Sequence, residues 1–276
     1  MGGILEDEIE HFNQFNLTPV ISDFYGLDLV KKLKNKNIHL KFDTGMHRLG
    51  FYEQDIEKIK SFIKVNNINV EGIMSHFPSA DIDPEFTQFQ IKKFYAIVKK
   101  FQALNPQYIH LQNSAGIDYE CSYCNAVRIG LALYGEKPKA KFPIKVENCM
   151  YVKSRLISIK NIKKGEKVSY CGNFTADKDM KIGVISFGYA DGLPRNLSNK
   201  GYVLINGKRT YIIGNITMDM AIVSLDNVDA QIGDEVTIIG KQKDKEITFS
   251  EIANLAGTIP YEIMCGISKR VKRVRV

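Results

Sequence analysis

The feature that most limits how this chain can fold is a change of rhythm halfway along it. Through the first half, short apolar runs alternate with amphipathic stretches. Thr18 to Ile21, His39 to Phe42, Val70 to Met74, Tyr108 to Leu111 and Ala126 to Leu133 are strand-like. Between them, Ile56, Ile59, Phe62 and Ile63 keep helical spacing, as do Phe86, Phe89, Phe94, Ile97, Val98, Phe101 and Leu104. Asp83-Pro84 is a helix start, and Asn105-Pro106 a stop. Repeated strand–helix–strand units predict a parallel sheet, because parallel strands need a crossover between them. From about Lys145 the runs become β-branched with turn residues between: Lys181 to Phe187, Tyr202 to Ile205, Tyr211 to Ile213, Ala221 to Leu225 and Glu235 to Ile239. Asn206-Gly207 marks a hairpin, since a type I′ turn needs positive φ at both central residues. One short helix, Phe249 to Ala256, interrupts this second part, capped by Thr248 or Ser250. The pattern predicts an α/β domain over residues 1–140 and a mostly antiparallel β domain over 141–276, joined near Pro138 to Pro143.

Composition removes several function classes. With 44% hydrophobic residues the chain can bury a core, which excludes intrinsic disorder. The net charge of +7 invites a nucleic-acid reading. Only 8 of the 38 basic residues are arginine, and the lysines are scattered beside acids, unlike the clustered arginine of nucleic-acid readers. Lys269 to Arg275, where basic residues alternate with valine, reads as an edge or terminal strand. The opening residues turn acidic at once, and no apolar stretch reaches membrane-spanning length. Neither a targeting signal nor a membrane partner is expected. Five cysteines, an odd number, predict reduced thiols and a cytoplasmic protein. Cys121 and Cys124 form a lone CxxC, without the further ligands a zinc site needs, so no metal is expected.

In parallel sheets chemistry gathers where strands end. Lys41-Phe42-Asp43-Thr44-Gly45-Met46-His47-Arg48 follows one strand, Ser75-His76-Phe77 another, and His110-Leu111-Gln112-Asn113-Ser114-Ala115-Gly116 a third. Arg128, Gly130 and Tyr134-Gly135 lie on the run after that. Polar or glycine-bearing groups at four successive strand ends predict a pocket. The small residues would let backbone N–H groups approach an anion such as phosphate.

These residues carry a resemblance. The segments HLKFDTGMHRLGF (39–51), GIMSHF (72–77), HLQNSAG (110–116), VRIGLALYG (127–135), GEKVSYCGNF (165–174), the run from Ile185 to Arg209, IIGNITMDM (212–220), IGDEVTIIG (232–240) and GTIPYEI (257–263) resemble alanine racemases, in the family's order, across nearly the whole chain. The resemblance implies a (β/α)₈ barrel of TIM type followed by a β domain, a homodimer, and pyridoxal 5'-phosphate as cofactor. It implies interconversion of L- and D-alanine by two-base proton transfer at Cα, supplying D-alanine for peptidoglycan.

Residue by residue, it places Arg128 at the cofactor's pyridine nitrogen and His110 as the group orienting that arginine. Arg48 falls near the phenolic oxygen and the substrate. Ser114, the Gly130 backbone, Tyr261 and Asn113 form the phosphate cradle. Tyr170 is the catalytic tyrosine, reaching across the dimer, with His76 as its hydrogen-bond partner. Tyr189 and Met218 line the substrate's entrance and carboxylate end, with Asp219 and Arg195 supporting that loop. Lys41 matches a lysine that some members carry carbamylated; an inward strand lysine paired with Asp43 is the alternative. Cys171 departs from the family's usual glycine after the tyrosine, and Thr217 from its cysteine before Met-Asp. The family's other base is a lysine that holds the cofactor as a Schiff base, in a motif on the first barrel strand. Nothing resembling that motif occurs here, and residues 2–22 align with later strands. A full barrel takes about 250 residues. The expectation is a partial barrel, inactive alone. Two other readings stay open: a partner completing a separate lysine-bearing barrel fragment, or another pyridoxal-phosphate racemase or decarboxylase relative.

Overall fold

The computed structural model describes residues 2–275, which fall into two compact units. The first is the segment ending at Ala132 together with Lys137–Ile144. Its sheet has five parallel strands in sequence order: β1 (Val20–Ile21), β2 (Asn37–Lys41), β3 (Asn69–Met74), β4 (Tyr108–Asn113) and β5 (Ala126–Arg128). Helix α1 (Ile9–Gln14) precedes the sheet; α2 (Phe24–Leu29), α3 (Ile56–Asn66) and α4 (Pro84–Phe101) supply the first three crossovers. Within helix α4, Pro84 stands in the first turn and the Asp83 side chain accepts from the Phe86 N–H at 3.0 Å. Its face of Ile91, Phe94, Ile97, Val98 and Phe101 is buried in the core shared with Leu40, Phe42 and Ile73. Each such side chain contributes roughly 1.5–3 kcal/mol of burial. Asn105, in the left-handed region at φ 48°, ends the segment as expected. The sheet is open, with β1 and β5 each hydrogen-bonded to one neighbour.

The second unit comprises Leu133–Glu136 and the segment from Lys145 onward. Strands β6 (Val152–Ile162), β9 (Met180–Ile185), β10 (Tyr202–Ile205), β11 (Lys208–Ile213), β12 (Ala221–Ser224) and β13 (Glu235–Gln242) pair antiparallel in the order β10-β11-β12-β9-β6-β13. Because β10 also pairs with β13, these six close into a ring, with β14 (Lys245–Ile247) appended. A small hairpin, β7 (Lys167–Val168) and β8 (Phe174–Thr175), stands apart. Asn206 and Gly207 turn the β10–β11 hairpin with φ of 51° and 80°, both positive as that turn requires. Helix α5 (Phe249–Ala256) is capped by Thr248, whose hydroxyl accepts from the Glu251 N–H, and α6 (Pro260–Gly266) follows.

Three expectations fail. Residues 269–275 form no strand. The Arg273 guanidinium donates to the carbonyls of Ile267, Ser268 and Val271, folding the segment on itself and occupying acceptors a ladder would use. Cys121 and Cys124, expected as thiols, form a disulfide, because a turn closed by the Cys124 N–H on the Cys121 carbonyl brings their Cα atoms to 5.4 Å. The strand expected through Leu133 stops at Arg128, and Leu131–Tyr134 is a 3₁₀ turn. Among the described residues no helix is long and apolar enough to cross a membrane.

Candidate active site

The carboxyl ends of β2 to β5 converge on Arg128. Its guanidinium donates to the His110 Nδ1 at 2.8 Å and the His110 carbonyl at 3.0 Å. It also donates to the Ser75 carbonyl at 2.7 Å, the Leu111 carbonyl at 3.1 Å and the His76 Nδ1 at 3.1 Å. Strand β4 and the segment after β3 thus hold this one side chain between them. The Arg128 Nε is buried and has no partner. Burial pulls the Arg128 pKa down to about 10, still far above neutrality.

Both histidines are neutral. Burial, then the Arg128 charge and His39, bring His110 down to about 3. Burial, then Arg128, Arg48 and Lys41, bring His76 down to about 4. Arginine has donors only, so each Nδ1 facing it is a bare lone pair and each Nε2 carries the proton. His76 thereby keeps an N–H to offer away from Arg128.

The loop after β2 is built on Asp43. Its carboxylate accepts from the Gly45 N–H at 2.8 Å and the His47 N–H at 3.1 Å. Gly50, at φ 136°, lets this loop return against the strand, where a Cβ would lie 2.5 Å from the Asp43 nitrogen. Arg48 rides on the loop, exposed. Lys41 is buried, and burial, Arg48 and Arg128 together lower its pKa, with Asp43 opposing. Among the described residues no ion pair joins Lys41 to Asp43, whose carboxylate closes the loop instead.

Asn113 donates to the Phe77 carbonyl at 3.0 Å and accepts from the Gly116 N–H at 3.0 Å, tying the end of β4 to the His76 loop. The Ser114 hydroxyl accepts from the Gly130 N–H at 3.0 Å. Ser114 and Gly130, both expected near an anion, are therefore adjacent. Thr44 and Ser75, named among the strand-end residues but without a role, and Gln90, absent from the sequence expectation, knit the loops: the Thr44 and Ser75 hydroxyls lie 2.8 Å apart, and the Gln90 amide donates to Thr44 and to the His76 carbonyl.

Tyr170, Tyr189, Met218 and Tyr261 belong to the second unit. Tyr170 is 71% exposed on a turn between Ser169 and Cys171, both at φ 63°. The Asn215 amide holds the Tyr170 carbonyl at 2.7 Å, and the Ser169 hydroxyl donates to the Asn215 carbonyl. Tyr189 and Met218 sit on adjoining loops: the Tyr189 and Ala190 N–H groups donate to the Thr217 and Met218 carbonyls, both at 3.0 Å. Gly188 permits this approach, since a Cβ there would lie 2.3 Å from the Met218 carbonyl oxygen. Asp219 finds its partner in Arg270, whose guanidinium bridges Asp191 at 2.9 Å and Asp219 at 2.6 Å. Tyr261 projects from the first turn of α6, half-exposed.

Comparison with known proteins bears on these residues. Family models described as alanine racemase, N-terminal domain, and alanine racemase, C-terminal domain, match residues 1–138 and 149–275. The chain is similar to the alanine racemase of Aquifex aeolicus, with 44% identity over all of this chain and 77% of that one. Among solved structures it resembles an alanine racemase from Bacillus anthracis with bound L-Ala-P, at TM-score 0.90 and 30% identity, covering 100% of this chain and 75% of that one. It also resembles one from Bartonella henselae with covalently bound pyridoxal phosphate, at TM-score 0.89 and 29% identity, covering 99% and 77%.

Proposed function

Because this chain belongs to the alanine racemase family, we propose that it serves the interconversion of L- and D-alanine with pyridoxal phosphate as cofactor. The observation that carries this is the buried, unpartnered N–H of Arg128. Every other face of that guanidinium is engaged by protein, so one donor remains for a ring nitrogen. A group that donates and does not give up its proton would keep that nitrogen unprotonated. In this reading Ser114, Asn113 and the Gly130 backbone, whose N–H here donates to the Ser114 hydroxyl, take the phosphate, and Tyr261 is a phosphate partner by resemblance alone. When bound, pyridoxal phosphate supplies an electron sink next to the amino acid's Cα.

Racemisation needs a base on each face of Cα. Tyr170, exposed on its turn, is one; in a homodimer it would serve the barrel of a second copy. A free tyrosine holds its proton to about pH 10, so it needs a donor at the phenolate oxygen. The His76 Nε2–H is that donor. Arg48 neutralises charge near the substrate, while Tyr189 and Met218 set the space for a methyl side chain. Lys41, whose pKa is lowered by burial and by the Arg48 and Arg128 charges, suits carbamylation, which would give it a negative charge to answer theirs. The family's second base is a lysine in a motif to which nothing in these residues corresponds.

The test titrates the chain with pyridoxal phosphate, followed by absorbance. D-alanine formation is then measured with and without a polypeptide carrying the family's lysine motif. Binding that weakens in Arg128→Lys, and racemisation that needs the added segment and falls at least 100-fold in Tyr170→Phe, are expected. Absence of cofactor binding sinks the reading. Racemisation by this chain alone, with borohydride fixing the cofactor on Lys41, overturns the assignment of the second base.

A further inference from the structure

His110 continues beyond Arg128. Its Nε2 lies 2.8 Å from the Nδ1 of His39, on β2. The His39 Nε2 in turn faces the Glu71 carboxylate on β3 at 3.7 Å. With Arg128 fixing the His110 lone pair at Nδ1, the His110 proton sits on Nε2 and donates to His39 Nδ1. The His39 proton is then forced to Nε2, facing Glu71. Each imidazole turns its lone pair toward the cation and its N–H toward the anion, so the dipoles align and reinforce one another.

The line needs an opening in the sheet. Strands β2 and β4 are not neighbours, and β3 runs between them. Strands lie about 4.8 Å apart, so His39 must span about 10 Å over β3. The residue beneath the ring is Gly72, which pairs with His39 on one side and Tyr108 on the other. A Cβ at Gly72 would lie 2.4 Å from His39 Nδ1 and 2.5 Å from its Cε1. The Tyr108 ring stacks on the far side of His39, centroids 5.8 Å apart and 22° from parallel.

We propose that His39, Glu71 and Gly72 are positioning residues for Arg128: Gly72 opens the slot, His39 crosses it to hold His110, and Glu71 closes the line with a carboxylate. This rests on the Arg128 assignment above for its purpose, though not for its geometry. Arg128 has no carboxylate among its hydrogen-bond partners. Glu71 answers its charge from the far end of two neutral rings, which orients the guanidinium without giving it a base that would take its proton.

The experiment reads the rings directly, in the whole chain without cofactor. Long-range ¹⁵N–¹H correlation at neutral pH is expected to give the Nε2–H tautomer for both His39 and His110, with the His110 imidazole proton protected from exchange. Gly72→Ala and His39→Phe are each expected to speed that proton's exchange at least tenfold; His39→Gln, which can accept from His110 and donate to Glu71, restores protection. In a cofactor titration Gly72→Ala raises the pyridoxal-phosphate dissociation constant several-fold and His39→Gln does not. An Nδ1–H tautomer at His39, or His110 exchange unchanged in both disruptive variants with circular dichroism showing them folded, overturns the proposal. If the protein binds no cofactor yet both tautomers and the exchange pattern hold, the racemase reading fails and the line stands.

Discussion

The histidine cluster makes stability depend on pH in a narrow window. His76 and His110 are held at about 4 and about 3, against about 6.5 in an unfolded chain. Below pH 6.5 the unfolded state takes up protons that the folded state refuses until far lower pH. The unfolded state then binds more protons, and stability falls as pH falls. Each histidine contributes at most about 1.4 kcal/mol per pH unit over that interval. His110 is buried and His76 half-buried, so we halve only the His76 share for screening, giving the pair on the order of 2 kcal/mol per unit between pH 6 and 4.5. Glu53, Glu147, Asp179 and Asp234 are lowered from ordinary carboxylate values by their partners, so the stability they contribute is lost as pH falls through the unfolded carboxylate range at the foot of this window, in the wild type and the histidine variant alike. Urea unfolding followed by circular dichroism at pH 6.5, 5.5 and 4.8 measures the slope. The double variant His76→Gln/His110→Gln is expected to lose most of it, and NMR titration should find neither ring protonating above pH 5 in the native protein. An identical slope in the double variant, or a midpoint near 6.5 for either ring, refutes the reasoning.

Three other outcomes follow from the second unit. Cys171 sits at φ 63°, where a side chain costs roughly 1–2 kcal/mol and glycine's greater freedom when unfolded returns about 0.5–1 of it; Cys171→Gly should stabilise by about 0.5–1 kcal/mol, raising Tm about 1–3 °C, while Cys171→Ala should not. The buried Glu136 carboxylate accepts from the Phe249 N–H at 2.9 Å and the Ser250 hydroxyl at 2.5 Å, so Glu136→Ala leaves both unpaired and should cost about 1–3 kcal/mol by urea denaturation. Arg270→Ala should free the loops it bridges, seen as faster hydrogen exchange at the Tyr189 and Ala190 amides with global unfolding unchanged.

How much of this was legible in sequence differs by element. The Asp83-Pro84 start, the Thr248 cap and the Asn206-Gly207 turn are local chemistry, and each stands where its residues predict. The strand-end cluster was legible because a parallel sheet gathers its strand ends. Strand β6 was not: among its exposed positions Lys153, Arg155 and Lys160 break the apolar pattern, and only pairing with β9 and β13 defines it. Helices α2 and α6 are too short to form on propensity alone and depend on tertiary packing. The Gly72 slot was invisible for a different reason. His39 and Lys41 share a face by the two-residue period of a strand, but nothing in a linear pattern shows a ring crossing to a strand two places away.

Charge explains why the strand ends form a site and not merely a polar surface. Arg48 and Arg128 lower the pKa of Lys41, and all three cations lower that of His76. Asp43 is committed to its loop, and Glu71 reaches Arg128 only through two imidazoles. Nothing in the fold requires three cations at one place; elsewhere Lys60 is paired with Glu57 and Lys100 with Glu53. Uncompensated charge raises the free energy of the folded state unless something answers it. Protonating either histidine would add to the charge, and the low values of His76 and His110 are how the fold avoids that. The group that answers it must be anionic and must leave the histidines neutral. A phosphate beside Ser114 and Gly130 and a carboxylate near Arg48 would meet both conditions, as the proposed cofactor and substrate do.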